Sequence, residues 1–247
     1  MLENINKEIE ACGNIEKAKI LQRFFKTNKG EYGEGDIFLG LTSPQCKNIV
    51  KKYDLTINEI QQLLKSSEHE KRSIALSFLI KLYNHTKNEK GKNDIIKFYL
   101  SNTKYINNWD LVDISCYKII GDYVYKTKNY DILRKLSKSK NLWERRISIV
   151  STMVFAKKGE HEIIFELIKP LLKNEHDLIN KATGWILREL GKIDEKVMEN
   201  FIRENIIDFS SISLSYATEK FTKEKRKELQ TLRKNIINVE PLQIVKI

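Results

Sequence analysis

The chain has 247 residues, and its 44 Lys and Arg outnumber its 33 Asp and Glu, so the formal net charge is +11. With 41% apolar and 31% charged residues, the composition is that of a folded globular protein and excludes a wholly disordered chain. No apolar run approaches the roughly 20 residues of a membrane-spanning helix, and the first residues lack a signal-peptide pattern. We therefore expect an intracellular protein without a membrane segment.

The cysteine and histidine residues are few and far apart. Three Cys and four His occur in the whole chain, and none of their spacings is that of a zinc site. We expect no metal and no cofactor. None of the four His has a convincing Ser, Cys or carboxylate partner.

Helical periodicity runs almost from end to end, and only three prolines interrupt it. No segment alternates polar and apolar residues as a strand would, so the sequence predicts an all-α fold. The predicted helices span residues 2–12, 14–26, 43–53, 56–65, 68–85, 89–101, 108–126, 130–137, 141–157, 160–173, 176–191, 194–205, 208–219 and 222–236.

The longer predicted helices recur at a regular interval, with starts near residues 68, 108, 141, 176 and 208. Each is followed by a second, usually shorter helix. Paired helices that repeat at this interval are typical of a HEAT-like α-solenoid, in which stacked pairs share one core. The sequence thus predicts a single curved α-solenoid domain over residues 1–236.

Two segments lie outside the helical pattern. Residues 27–43 contain four glycines and end just before Pro44, which suits the first turn of the next helix. The glycines form neither GxGxxG nor a P-loop, so we interpret 27–43 as an ordered loop between helical pairs rather than a nucleotide site. The last residues, 237–247, are predicted to form an extended tail.

Asp113 lies in the middle of an apolar helix face formed by Trp109, Val112, Cys116 and Ile120. An ionised carboxylate belongs on such a face only if it is paired or lines a cleft. Two interpretations are open: a buried Asp satisfied by an Arg or a helix N-terminus, or a functional carboxylate.

When the long helices are aligned, Arg72, Asp113, Arg146 and Lys181 occupy the same point of successive repeats. In a solenoid, equivalent positions form a row across neighbouring repeats. The hypothesis is that three cations lie around one carboxylate, with surplus positive charge to hold DNA phosphates. The net charge alone favours a merely solvated basic surface over a nucleic-acid partner.

The three tryptophans have different expected roles. Trp143 continues an apolar stripe and is expected in the core. Trp185 lies off its stripe beside Arg188, where it either packs against the next repeat or faces a groove. Trp109 is one helical turn from Asp113 and is the better candidate to share its site.

Four segments resemble the AlkD-like DNA alkylation repair glycosylases, a family of HEAT-like α-solenoids. They are IFLGLTSP at 37–44, WDLVD at 109–113, LWERR at 142–146 and KATGWILRE at 181–189. The resemblance covers nearly the whole chain. It implies a monofunctional glycosylase that excises positively charged N3- and N7-alkylpurines from duplex DNA during base excision repair, acting as a monomer in the prokaryotic cytosol or nucleoid.

The resemblance also assigns roles to residues. It implies that Asp113 is the catalytic carboxylate, that Trp109 and Trp185 flank the lesion nucleotide, and that Arg146 is an active-site arginine in contact with DNA. Further DNA contacts are expected from the side chains of Arg72, Lys181, Arg188, Thr42 and Ser43. Phe24 stands where some members have a tyrosine, and Thr42 where some have a longer polar side chain.

The cationic base leaves as a neutral molecule, so this chemistry needs no general acid. Asp113 would stabilise the positive charge that develops on the sugar and position the attacking water. The alternatives are a non-catalytic HEAT-like module that binds DNA structures or a protein partner, and a DNA binder whose carboxylate has lost its role.

Overall fold

The computed structural model describes residues 1–243. The chain divides into two compact units, Met1–Tyr123 and Val124–Ile247, and each is described by itself. Within residues 1–243 there is no strand, and the only β-type pairing is an isolated bridge between Ile37 and Glu68. The predicted fold class, an all-α fold of successive helical pairs, is confirmed. None of the described helices is long and apolar enough to span a membrane.

The first unit is built around one long helix, against which its neighbours pack. The core of this unit is apolar, with Leu76, Leu79 and Tyr99 fully buried. The helices that begin here are α1 (Leu2–Ala11), α2 (Ile15–Phe24), α3 (Ser43–Lys52), α4 (Ile57–Leu64), the long α5 (His69–His85), α6 (Glu89–Ser101), α7 (Trp109–Cys116) and α8 (Asp122–Thr127).

The second unit has the helix α13 (Asp177–Gly191) at its centre, packed against α10 (Leu142–Ser151), α14 (Glu195–Glu204) and α15 (Ser211–Ala217). Ile147, Ile179 and Ile186 are fully buried in its core. Its helices are α9 (Asp131–Ser137), α10 (Leu142–Ser151), α11 (Met153–Ala156), α12 (Glu162–Ile168), α13 (Asp177–Gly191), α14 (Glu195–Glu204), α15 (Ser211–Ala217) and α16 (Lys223–Gln243).

Helix starts follow local capping chemistry. The hydroxyls of Thr42 and Thr56 each accept the N–H three residues on, and Gln45 and Glu59 return a bond to the cap backbone. Pro44 lies in the first turn of α3, as predicted. The helix predicted at 208–219 starts at Ser211 rather than 208 because the Ser210 side chain caps it.

Three predicted helices are interrupted. A π-helical segment, Tyr117–Gly121, separates α7 from α8. The 141–157 helix breaks at Thr152, whose hydroxyl donates to the Ile149 carbonyl at 2.6 Å and competes with the helical ladder. A 3₁₀ turn at Lys169–Leu171, which includes Pro170, ends the helix predicted at 160–173.

The end of the chain differs from the sequence prediction. Helix α16 continues to Gln243, so the segment predicted as an extended tail from residue 237 begins as helix. The rest of the predicted tail, residues 244–247, lies outside the described residues.

Candidate functional site

Helix α7 carries the two residues of the first unit that the sequence singled out most strongly. The Asn108 side chain accepts the Trp109 N–H at 2.8 Å and so starts the helix at the tryptophan. Asp113 follows four residues later on the same face of the helix. Both side chains are half-buried. The structure therefore brings Trp109 and Asp113 together, one turn apart, at a partly accessible surface.

The Trp109 ring is held by a group of aromatic side chains. It stacks on Phe25, with ring centroids 5.2 Å apart and planes 15° apart, and meets the edge of Phe24 at 5.9 Å. Phe25 in turn stacks on Phe38 at 4.9 Å. Phe24 remains 62% exposed. Packing from Phe24 and Phe25 fixes the orientation of Trp109 without burying it completely.

The surroundings of Asp113 include a buried phenol. Ser115 donates to the Leu111 carbonyl at 2.6 Å, so Tyr99 is the donor in its 2.9 Å hydrogen bond to Ser115. Burial raises the pKa of Tyr99 well above its usual value, and the Asp113 charge raises it further. The Tyr99 hydroxyl near Asp113 thus stays neutral.

The π-helical segment that follows α7 was not predicted. Such segments interrupt the regular hydrogen-bond ladder and occur often at functional sites. Here the segment begins at Tyr117, one turn after Asp113. No pattern of residue types announces this change, because the apolar stripe continues through Ile119 and Ile120, both fully buried.

The aligned repeats led us to expect that Arg72 is one of the cations available to DNA phosphates, but the structure buries it. It is only 4% exposed, its Nη2 lies 2.6 Å from Asp36 Oδ1, and its Nη1 donates to the Ser66 carbonyl at 3.0 Å. A guanidinium enclosed in this way has no free face for a phosphate. The alignment by charge failed here because the partner of Arg72 comes from the glycine-rich loop.

His69 has carboxylate partners that the sequence analysis missed. Its Nδ1 lies 3.0 Å from Asp36 Oδ2 and its Nε2 lies 2.8 Å from Asp110 Oδ2. The expectation that no His has a carboxylate partner is wrong for this residue. These pairings could not be recognised from sequence spacing because Asp36 and Asp110 lie 33 and 41 positions away from His69 along the chain.

The glycine-rich loop is held by a buried carboxylate. Glu70, 4% exposed, accepts the N–H groups of Leu39, Gly40 and Leu41 at 3.0, 2.8 and 3.2 Å. These backbone donors are occupied within the protein, which agrees with the interpretation of 27–43 as an ordered loop. Thr42, next along the chain, is half-buried as the cap of α3.

Ser43 is exposed at the start of α3. Its position leaves the hydroxyl accessible, whereas the Thr42 hydroxyl donates to Gln45 Oε1 at 2.7 Å. Of these two predicted DNA contacts, Ser43 is the more accessible.

In the second unit, Arg146 is buried, with 5% of its surface exposed. Its Nη1 donates to the Leu178 carbonyl, next to the start of α13. Its charge also reaches His176, whose pKa is lowered first by burial and further by Arg145 and Arg146. Arg146 is thus anchored within the unit and is not a free surface cation.

Lys181, Trp185 and Arg188 lie on one face of α13, since steps of four and three residues return to the same side of a helix. All three are partly exposed. Arg188 is paired with Glu219, whereas Lys181 has no ion-pair partner among the side chains of residues 1–237, which the structure describes. This face, which we call the α13 face, places an aromatic ring beside the Lys181 ammonium group.

The glycine before Trp185 has a packing role. A Cβ at Gly184 would lie 2.4 Å from Tyr216 Cβ and 2.6 Å from the Ser213 carbonyl oxygen, so α13 and α15 touch at this point. The close contact leaves Trp185, the next residue, at the edge of the helix pair. Trp143 is 8% exposed, and its predicted place in the core is confirmed.

Among residues 1–243, no group of three or more His, Cys, Asp or Glu side chains is arranged to hold a metal ion. Asp110, in the first turn of α7, is bound to His69.

Comparison with known proteins identifies a family for the chain. A family model described as DNA alkylation repair enzyme matches residues 5–221. Among solved structures, the fold is similar to that of a predicted DNA alkylation repair enzyme from Enterococcus faecalis, with a TM-score of 0.65 and 18% sequence identity. The match covers 85% of this chain and 97% of that one. No curated protein matches the chain significantly.

Proposed function

Because the chain belongs to the family of DNA alkylation repair enzymes, we propose that it is a monofunctional DNA glycosylase that removes N3- and N7-alkylated purines from duplex DNA. The family establishes the role in alkylation repair. The glycosylase reaction, the lesion class and the residues that act are the proposal.

One observation carries the proposal: Asp113 and Trp109 lie one turn apart on α7, both half-buried, with the Trp109 ring supported by Phe25 at 5.2 Å. A carboxylate beside a supported aromatic face is suited to a substrate that becomes positively charged.

The chemistry requires little more than this pair. In an N3- or N7-alkylpurine the base already carries a positive charge. When the C1′–N bond breaks, its electron pair goes to the base, which departs neutral, and positive charge develops on the deoxyribose. Asp113 stabilises that charge, while water attacks C1′ and loses its proton to the carboxylate or to solvent. The aromatic face of Trp109 favours the same cationic sugar.

For the second unit we propose DNA contact through the α13 face. Lys181 supplies a charge to a phosphate, and Trp185 offers an aromatic face to the nucleotide, as the family resemblance implies. Arg188 is already paired with Glu219, so we assign it a smaller part. Arg146 is buried and bound to the Leu178 carbonyl. We propose that its positive charge favours DNA binding electrostatically, without direct contact between its side chain and the DNA.

The experiment that tests this function is a base-release assay with the purified protein. Duplex DNA containing 7-methylguanine or 3-methyladenine is incubated with the protein, and free base and abasic sites are quantified. We expect equal amounts of both products and no strand cleavage, since the proposed reaction uses only water. Tight binding without any base release would instead support a non-catalytic DNA-binding module.

A further inference from the structure

His69 joins three parts of the first unit at the end of α7 that carries Trp109. One ring nitrogen meets Asp36, in the glycine-rich loop, at 3.0 Å, and the other meets Asp110, in the first turn of α7, at 2.8 Å. We call these two hydrogen bonds the His69 bridge. His69 itself is the first residue of α5 and is 2% exposed.

The bridge requires a protonated ring. A neutral imidazole has one N–H and can donate to one acceptor, whereas two ionised carboxylates can only accept. Burial would lower the pKa of His69, but the hydrogen bonds to Asp110 and Asp36 outweigh it and hold the pKa above its usual value. Burial would likewise raise the pKa of Asp36, but the His69 bond and the Arg72 charge hold it below its usual range.

The bridge also reaches the aromatic group that supports Trp109. The His69 ring stacks on Phe38 at 4.4 Å and lies 5.1 Å from Phe25, the ring on which Trp109 stacks. A cationic imidazole between such rings is favourable. The same side chain therefore holds the backbone of the first α7 turn through Asp110 and the Trp109 ring through Phe25.

Asp110 depends on this bridge. Its Oδ2 is bound to His69, and its other oxygen, Oδ1, is buried with no hydrogen-bond partner among the described residues. Loss of one His69 proton leaves a single N–H for two carboxylates, and when that proton stays on Nδ1 the largely enclosed Asp110 carboxylate faces an unprotonated ring nitrogen. Repulsion between that nitrogen and the Asp110 carboxylate would disturb the first turn of α7. Trp109 directly precedes Asp110 in this turn, and Asp113 lies three residues after it.

From this geometry we propose that His69 is a positioning residue for the Trp109–Asp113 face, which it orients by joining Asp36 of the loop to Asp110 of α7. The proposal deepens the proposed function and rests on it where base release is concerned. The charged groups that face the ring are Asp36 from the loop, Asp110 from α7 and Arg72 from α5 itself.

The pH dependence has a definite sign. Because folding raises the pKa of His69, the contribution of the bridge is complete below about pH 6.5, the value of an unperturbed histidine, and is lost as pH rises through the folded value. Asp36 acts in the opposite sense, since its lowered pKa makes its contribution fade only as pH falls below about 4. Both hydrogen bonds of the His69 bridge are therefore present at mildly acidic pH. The bridge is lost on the acid side when Asp36 is protonated and on the alkaline side when His69 loses its proton.

The test is an NMR titration of isotope-labelled histidine in the full chain, followed together with the Trp109 indole N–H resonance. We expect His69 to titrate above pH 6.5, the Trp109 resonance to move in the same transition, and Asp110→Asn to lower the pKa of His69. His85→Gln, at the exposed far end of α5, is the matched control and should change neither signal. A His69 pKa at or below 6.5, or a Trp109 resonance that ignores the transition, would overturn the proposal.

Base release provides the second readout. Asp110→Asn and His69→Gln should slow release at saturating DNA by about tenfold or more, because small displacements of reacting groups are costly, while DNA affinity changes little. Wild-type rates for both variants would overturn the positioning role. If the wild type itself releases no base, the proposed function fails, whereas the titration still decides whether the bridge orients Trp109. Asp110→Asn is the conservative variant that serves if His69→Gln does not fold.

Discussion

Single residues separate into anchored and available charges. Arg72 and Arg146 were both expected to contact DNA, yet both are almost fully buried and bonded within their own units. Lys181 is partly exposed and has no ion-pair partner among the described residues. The distinction matters because only an available cation exchanges counterions for a DNA phosphate.

Lys181→Ala should make the dependence of log binding constant on log salt concentration shallower by about one, the expected change for one lost phosphate contact. Lys196→Ala, which removes the same charge from an exposed position of α14, is the control and should leave the slope nearly unchanged. The slope is measured by titrating duplex DNA at several salt concentrations. Equal effects of the two variants would mean that Lys181 contributes only to the overall charge.

Residue patterns predicted some of these positions and not others. Trp109 and Asp113 could be found because both lie in one helix, where a four-residue spacing places them on one face. The partners of Arg72 and His69 could not, because Asp36 comes from a loop whose path depends on tertiary contacts. Alignment of the repeats predicts where a charged residue lies along its helix. It does not predict which residue from another part of the chain pairs with that charge and buries it.

At the scale of elements, the glycine-rich loop depends on close contacts that only glycine permits. Gly40 has a φ of +84°, and a Cβ there would lie 2.0 Å from the Asn14 carbonyl oxygen. Gly30 has a similar φ of +81° but open space around it. The two positions thus differ in packing and not in backbone conformation.

Gly40→Ala should lower the free energy of unfolding by clearly more than Gly30→Ala, which should cost about 1 kcal/mol for the left-handed backbone alone. The excess at Gly40 measures the clash with Asn14 and should be about 2 kcal/mol or more. Urea denaturation of both variants checks this. Equal losses would show that the loop can move away from α2 without penalty.

Helix limits could be predicted closely because caps are local. Thr42 and Thr56 each start a helix through a side chain that accepts a nearby N–H, and the predicted starts at 43 and 56 agree with α3 and α4 to within one residue. The π-helical segment Tyr117–Gly121 and the break at Thr152 escaped prediction, since the apolar stripes run through both without a change of period. Departures from the regular ladder arise from packing that residue spacing does not encode.

At the scale of the whole molecule, the net charge of +11 favours association with a polyanion, and the family gives that charge a use in DNA alkylation repair. Binding through phosphate contacts releases counterions and weakens with salt. We expect affinity for duplex DNA to fall by about a hundredfold or more between 50 and 200 mM salt, as for proteins with several phosphate contacts. An affinity that is insensitive to salt would argue against phosphate contacts as its source.

In the proposed reaction, the Asp113 carboxylate stabilises the positive charge that develops on the sugar. The most direct measurement is the single-turnover release of 7-methylguanine from duplex DNA by the wild type, Asp113→Asn and the control Asp94→Asn, which removes an exposed carboxylate from α6. We predict that Asp113→Asn slows release by about 10²-fold or more while duplex binding persists, and that Asp94→Asn leaves it unchanged. Release by Asp113→Asn at the wild-type rate would contradict the account.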